Sequence, residues 1–167
     1  MDFSIIINTH NQSKFLGECI KSCINQNYLN YEIIIVDDNS SDGTNEILKK
    51  FETIDKLKIF YHKKNSGKGA ALHTAIQNSD SDITIIQDAD LEYDPFDYDK
   101  LLLPFFETDA DVVYGSRFLG GGKYVRTHFF WHYLANKILT FICNIVTNLN
   151  LTDMETGYKV FKSSVLK

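Results

Sequence analysis

YEIIIVDDNSSDGTNEILKKF, residues 31–51, decides the fold. Four consecutive β-branched residues, Ile33 to Val36, form an unbroken apolar run, the signature of a strand buried on both faces. Two acids then end the run, a Ser- and Asp-rich turn offers a helix cap, and a helical stripe follows. This is a strand–helix unit, and the chain repeats it. Residues 3–8 read as a strand, followed by a helix over 15–24 in which Phe15, Leu16, Cys19, Ile20, Cys23 and Ile24 recur at steps of three and four. Further strands are expected at 57–62, 81–87 and 110–118. Further helices are expected at 67–79 and, despite Pro104, at 97–107. Short connections between strands buried on both faces predict an α/β fold: a mostly parallel central sheet with helices on both faces.

The 167 residues fit a single domain with a core of its own. A formal charge of −5 with no long basic run excludes nucleic acid as a partner. Cys19, Cys23 and Cys143 contain no CxxC pair and read as reduced thiols in a cytoplasmic protein. The N-terminus, MDFSIIINTHNQ, lacks the basic region of a signal peptide. The most apolar window, 129–149, is interrupted by His132, Asn136, Lys137 and Asn144, so no membrane-spanning helix is expected. Its stripe of Phe130, Leu134, Ile138, Phe141, Ile142, Ile145 and Leu149 is by default a core-packing face.

In open parallel sheets, ligands bind beyond the carboxyl ends of the strands. Those ends carry Asn8 and His10, Asp37 and Asp38, His62 and Asn65, Asp88 and Asp90, and the segment 115–117. Asp88 and Asp90 flank Ala89, a spacing that fits many acidic turns but also suits Mg²⁺ or Mn²⁺ shared with substrate phosphates. Of Asp37 and Asp38, one is expected to cap the following helix and the other to face the crevice. NSGKGAAL (65–72) departs from a Walker A loop, yet Lys68 at a glycine-rich helix start suits an anionic phosphate. LGGGKY (119–124) is either a linker or a loop over a site. A phosphoacceptor receiver domain would need its acidic pair after the first strand and an acceptor Asp after the third; here the pair follows the second and the third ends in His62.

Taken together, SIIINTHNQ, VDDNSSDGT, NSGKGAAL, QDADLEYDP, VVYGSRF and LTDMETGYKVF resemble, in order and spacing, the family 2 glycosyltransferases of GT-A (Rossmann-like) fold. The similarity is greatest to the branch containing the polyprenyl- or dolichyl-phosphate mannose and glucose synthases. The resemblance implies a nucleotide-sugar subsite made of Asn8, His10, Gln12, Val36, Asp38, Lys68, Asp88, Ala89, Asp90 and Arg117. It implies a metal site of Asp88, Asp90 and Glu92, Arg117 and Arg126 on the acceptor phosphate, and Asp90 and Asp153 as catalytic groups, Asp153 being the candidate base or an orienting acid. The first-strand motif departs from the usual Pro-Thr-Tyr-Asn-Glu, reading Asn8, Thr9, His10, Asn11 and Gln12.

The expected activity is therefore a metal-dependent, inverting transfer of a hexose from a UDP- or GDP-sugar to a lipid-linked polyprenyl phosphate, the metal being Mg²⁺ or Mn²⁺. Relatives place the 129–149 region against a bilayer, which predicts a peripheral contact at the cytoplasmic face of a membrane. The family usually continues beyond GYKVF, so this chain reads as a fragment or a minimal form. A nucleotide-sugar-binding module without turnover and a family 2 transferase acting on a glycan are the alternatives.

Overall fold

The computed structural model describes residues 2–118 and 129–167. Among these residues six strands form one sheet: β1 (Phe3–Thr9), β2 (Tyr31–Asp37), β3 (Leu57–Tyr61), β4 (Ile83–Asp88), β5 (Val112–Tyr114) and β6 (Lys159–Lys162). Their order is β3-β2-β1-β4-β6-β5. The first four run parallel, and β6 lies antiparallel between β4 and β5. The chain steps outward from β1 through β2 to β3, then returns to β4 on the other side of β1. Strand order thus reverses between β1 and its neighbours, the topological switch point at which such sheets open a crevice. Asn8 stands there, in register with Val36 on one side and Asp88 on the other.

Side chains alternate across the sheet with period two. Ile5, Ile7, Ile33, Ile35 and Ile85 face α1 (Ser13–Ile24) and α4 (Tyr98–Glu107), with Leu16, Cys19, Ile20, Tyr98, Leu102 and Phe105 packed into one core. Ile6, Ile34 and Val36 face α3 (Lys68–Gln77), where Ala71 and Ala75 supply small contacts. The α2 helix (Thr44–Leu48) is only five residues long. Pro104 is accommodated inside α4. Cys19 and Cys23 are buried free thiols, as composition suggests.

Two expectations change. The fifth strand, expected over 110–118, keeps only three residues, because beyond Tyr114 the chain leaves the sheet and carries Arg117 toward Asp153. The larger change is α5 (Phe130–Thr147). Its apolar stripe is not core: Phe130 is 65% exposed, Phe141 65% and Ile145 66%, whereas Asn136 and Thr140 are 3% exposed. The helix is attached by its polar side. Asn136 donates to Asp153 and Glu155, Lys137 donates to the Thr152 carbonyl, Thr140 Oγ1 accepts from Met154 N, and Asn144 exchanges two bonds with Leu151. A helix apolar nearly all round, with its polar groups turned inward, satisfies those groups within the chain and presents its apolar surface outward. Among the described residues no helix is long and apolar enough to cross a membrane.

Candidate active site

The first wall of the crevice is built by hydrogen bonds from one strand end to the next. Asp38, 3% exposed, accepts from Ser66 N at 2.9 Å, Gly67 N at 2.6 Å and His62 Nδ1 at 2.7 Å. Burial alone would raise its pKa; the Ser66, His62 and Gly67 donors outweigh burial and hold the carboxyl below the ordinary value. Asp38 therefore fastens the loop that starts α3, where Gly67 takes φ 86°. His10 Nδ1 faces the Asp38 carbonyl at 2.9 Å, which can only accept, so the proton sits on Nδ1 and Nε2 accepts from Asn11 and Asn65 at 3.1 Å. The His10 ring is exposed at the mouth.

Neither strand-end acid caps α2. Asp37 accepts from Ser40, and it is Asp42 that takes Thr44 N at 3.1 Å and Thr44 Oγ1 at 2.6 Å, along with Ser13 N. Gln12 is the N-cap of α1, and its carbonyl receives Phe15 N and Leu16 N. Val36 and Ala89, expected in the nucleotide-sugar subsite, are buried in the two cores at 0% and 3% exposure. Their side chains support the crevice from beneath and do not reach into it.

At the centre, Asp88 ends β4 with its side chain 20% exposed, and Lys68 Nζ lies 2.5 Å from its Oδ1. Asp90 is exposed and accepts from Glu92 N at 3.0 Å. Glu92 lines a cavity together with Arg117. Among the described residues no three His, Cys, Asp or Glu side chains gather as a metal cluster, so the expected triad is not assembled. Hard oxygen donors stand side by side in register: Asp88 on β4 and, on the neighbouring strand, Asn8, whose Oδ1 is buried without a partner. With Asp90 one turn on, this set fits a divalent ion whose remaining positions come from a diphosphate and water.

The opposite wall is the Arg117–Asp153 fork. Arg117 Nε and Nη2 meet Asp153 at 2.7 and 2.8 Å, and Arg117 N adds a third bond at 3.1 Å. The Asp153 side chain is 0% exposed. Burial would raise its pKa, but Arg117 and Asn136 lower it below the ordinary value. A covered carboxylate already saturated with donors is a poor proton acceptor, and the bonds from Arg117 fix the two side chains against each other. Beside the fork lies a cavity of about 500 Å³, with Arg117, Glu92, Glu155 and Asn136 as its polar side and Phe118, Phe129, Tyr133 and Leu139 as its apolar side. Arg126 and the 119–124 loop lie outside the described residues.

Several residues escape sequence reasoning. Gly157 backs Asp88 closely: a Cβ there would come within 2.6 Å of Asp88 Oδ2 and 2.5 Å of Tyr93 Cε2, while Gly157 N donates to Tyr93 Oη at 2.7 Å. The parts played by Asn136 and Glu155 are not visible in the string either, although Asn136, Thr140 and Asn144 recur every four residues through an apolar window. That polar stripe was a visible sign of which side of α5 is anchored.

Residues 4–167 match the model of glycosyl transferase family 2. The chain belongs to that family. Among curated family 2 relatives, it is 29% identical to the UDP-N-acetylglucosamine–dolichyl-phosphate N-acetylglucosaminyltransferase of Methanococcus voltae over 98% of this chain and 70% of that protein. It is 32% identical to the dolichol-phosphate mannosyltransferase of Pyrococcus furiosus over 82% of this chain and 39% of that one. The structure superposes on glucosyl-3-phosphoglycerate synthase from Mycobacterium tuberculosis, solved with Mn²⁺, UDP and glucosyl-3-phosphoglycerate, with a TM-score of 0.74 at 15% identity, covering 99% of this chain and 58% of that one. For a Pyrobaculum calidifontis mannosyltransferase solved with GDP-Man and Mn²⁺, the TM-score is 0.70 at 18% identity, over 98% and 45% of the two chains. The family 2 sheet is thus a GT-A fold. The chain spans less than half of the Pyrococcus relative and roughly half of these solved structures.

Proposed function

We propose that this family 2 chain transfers a hexose from a UDP- or GDP-hexose to a polyprenyl phosphate, with inversion and with Mg²⁺ or Mn²⁺ bound. The observation that carries the acceptor class is the Arg117–Asp153 fork at the head of an apolar-walled cavity. The guanidinium suits a phosphate and the aromatic wall suits a prenyl chain. An acceptor that is already an anion needs no base, which agrees with an Asp153 too saturated to act as one. The chain's likeness to the dolichyl-phosphate N-acetylglucosaminyltransferase of Methanococcus voltae and the dolichol-phosphate mannosyltransferase of Pyrococcus furiosus supports the same class.

On the donor side, Asp88 and Asp90 would hold the ion, which when bound neutralises charge on the departing nucleoside diphosphate. Lys68 turns from Asp88 to the diphosphate, and His10 offers a ring face and the base-side rim. The outward face of α5 lies along the interface of a membrane, with Phe129, Phe130, Trp131 and Tyr133 at headgroup level.

A second reading, a glycan hydroxyl as acceptor, is favoured by Glu155, an exposed carboxylate in the same cavity held by Asn136 at 3.0 Å. It would supply the base a hydroxyl requires. Thermal shifts against UDP, GDP and their sugars with Mn²⁺, repeated with Asp90→Ala, test the donor site; no metal-dependent shift with any nucleotide refutes it. Transfer assays then separate the acceptors. Turnover on polyprenyl phosphate that survives Glu155→Gln supports the first reading. Turnover only on a glycan, lost in Glu155→Gln, replaces it with the second, and nucleotide binding without any transfer leaves a binding module.

A further inference from the structure

Among the described residues, Lys68, Arg117 and Lys159 stand at the strand ends of the site, and the first two are matched. Lys68 sits on Asp88 and Arg117 on Asp153. The third, Lys159, has no carboxylate in hydrogen-bond reach among the described residues. It is part-buried, its ammonium donates to the Thr156 carbonyl and stands 5.3 Å from the Tyr114 ring centroid. A carbonyl and a ring face compensate a partly desolvated ammonium only incompletely. Its environment reflects this: burial, then the nearby Lys68 charge, lower its pKa, with Arg117 adding to the effect and Asp88 and Asp153 opposing it.

Position tells what would complete it. Lys159 opens β6, in register with Ile86 on β4 and Tyr114 on β5. Two residues beyond Ile86 is Asp88, and three beyond Tyr114 is Arg117, so Lys159 stands where the donor half and the acceptor half of the crevice meet. We propose that Lys159 is a phosphate-holding residue of the transfer centre, releasing the Thr156 carbonyl to bind a phosphate oxygen when the site fills. The phosphate comes from the donor diphosphate or from the acceptor phosphate. The assignment rests on the donor and acceptor reading above and adds to it a residue placed between the two.

The test uses the full chain with Lys159→Met, which keeps the stem and removes the charge, and Lys159→Arg, which keeps the charge. Calorimetric titration with Mn²⁺ plus UDP, GDP or inorganic pyrophosphate reads the donor arm; initial rates on polyprenyl phosphate read the acceptor arm. Loss of one charge-assisted bond is expected to weaken phosphate binding by about tenfold or more. If the donor supplies the phosphate, affinity for UDP or GDP and for pyrophosphate falls in Lys159→Met; if the acceptor does, its KM rises with nucleotide affinity kept. In both cases Lys159→Arg recovers most of the loss, and uridine or guanosine binding is unchanged. Protection of wild-type Lys159 from reductive methylation by saturating nucleotide or polyprenyl phosphate, read by mass spectrometry, gives the same answer should Lys159→Met not fold. Equal affinities and KM in wild type and Lys159→Met, a parallel loss of nucleoside binding, or methylation indifferent to ligand each overturn the assignment. A wild-type chain that binds neither nucleotide nor pyrophosphate and transfers nothing overturns the donor-site reading as well, so the two failures are distinguishable.

Discussion

Lys68 and Asp88 occupy each other at 2.5 Å, so a metal entering the site competes with an internal cation. Lys68→Met is expected to bind Mn²⁺ alone several-fold more tightly, by titration, while binding UDP or GDP more weakly, because the charge that would move to the diphosphate is gone. Gly157 makes a second residue-scale prediction. Alanine there must displace Asp88 or Tyr93, an overpacking that costs about 1–3 kcal/mol. Gly157→Ala is expected to lower the denaturation midpoint accordingly and to weaken Mn²⁺ binding, whereas Gly69→Ala, with open space around its Cβ position, leaves Mn²⁺ binding intact. The placement of Asp88, Asp90 and Lys68 at the carboxyl ends of the strands was readable because strand ends collect the polar groups of such a sheet. That Asp38 would be absorbed by Ser66, Gly67 and His62 was not readable, since it depends on how a loop 28 residues away folds back. Gly157 escaped for the same reason: close approach is a property of the folded pair, not of the TGY string.

At the scale of elements, α5 separates pattern from placement. Periodicity identifies an apolar face but not whether the fold or something outside it receives that face, so the default assignment to the core failed. Cores are chosen by what the sheet has left to cover, and here α1, α3 and α4 already cover it. Replacing Ile138 and Phe141 together by serine is therefore expected to leave stability in solution nearly unchanged, within about 0.5 kcal/mol by chemical denaturation, as for surface sites. The same pair is expected to abolish co-sedimentation with vesicles of neutral phospholipid carrying polyprenyl phosphate. Substituting the buried Asn136 by leucine should do the reverse, destabilising the chain because Asp153 and Glu155 lose their shared donor.

Over the whole molecule, the depressed carboxyls set an acid limit. Asp38 and Asp153 are held below their ordinary values, and Asp42 is lowered to about 2. A group whose folded pKa is depressed contributes stability that is complete above its unfolded value, near 4, and is lost as pH falls through the folded one. The chain should therefore keep its denaturant midpoint from pH 7 to about 5 and lose it steeply between about 4 and 2, with Asp153→Asn shallower over that range. The parallel half of the sheet was legible because its strands are unbroken apolar runs; the antiparallel insertion of β6 was not, because its four residues carry no directional signal. That insertion has a temporal meaning during synthesis. β1 to β4 can pair as soon as residue 88 has left the ribosome, but among the described residues β5 has β6 as its only neighbour and must wait for residues 159–162. Until then the outer edge of β4, beside Asp88, is an open strand edge. The segment that closes this edge also brings Asp153, Gly157 and Lys159, so a nascent chain can pair the parallel half of its sheet before these residues stand beside Asp88 and Arg117.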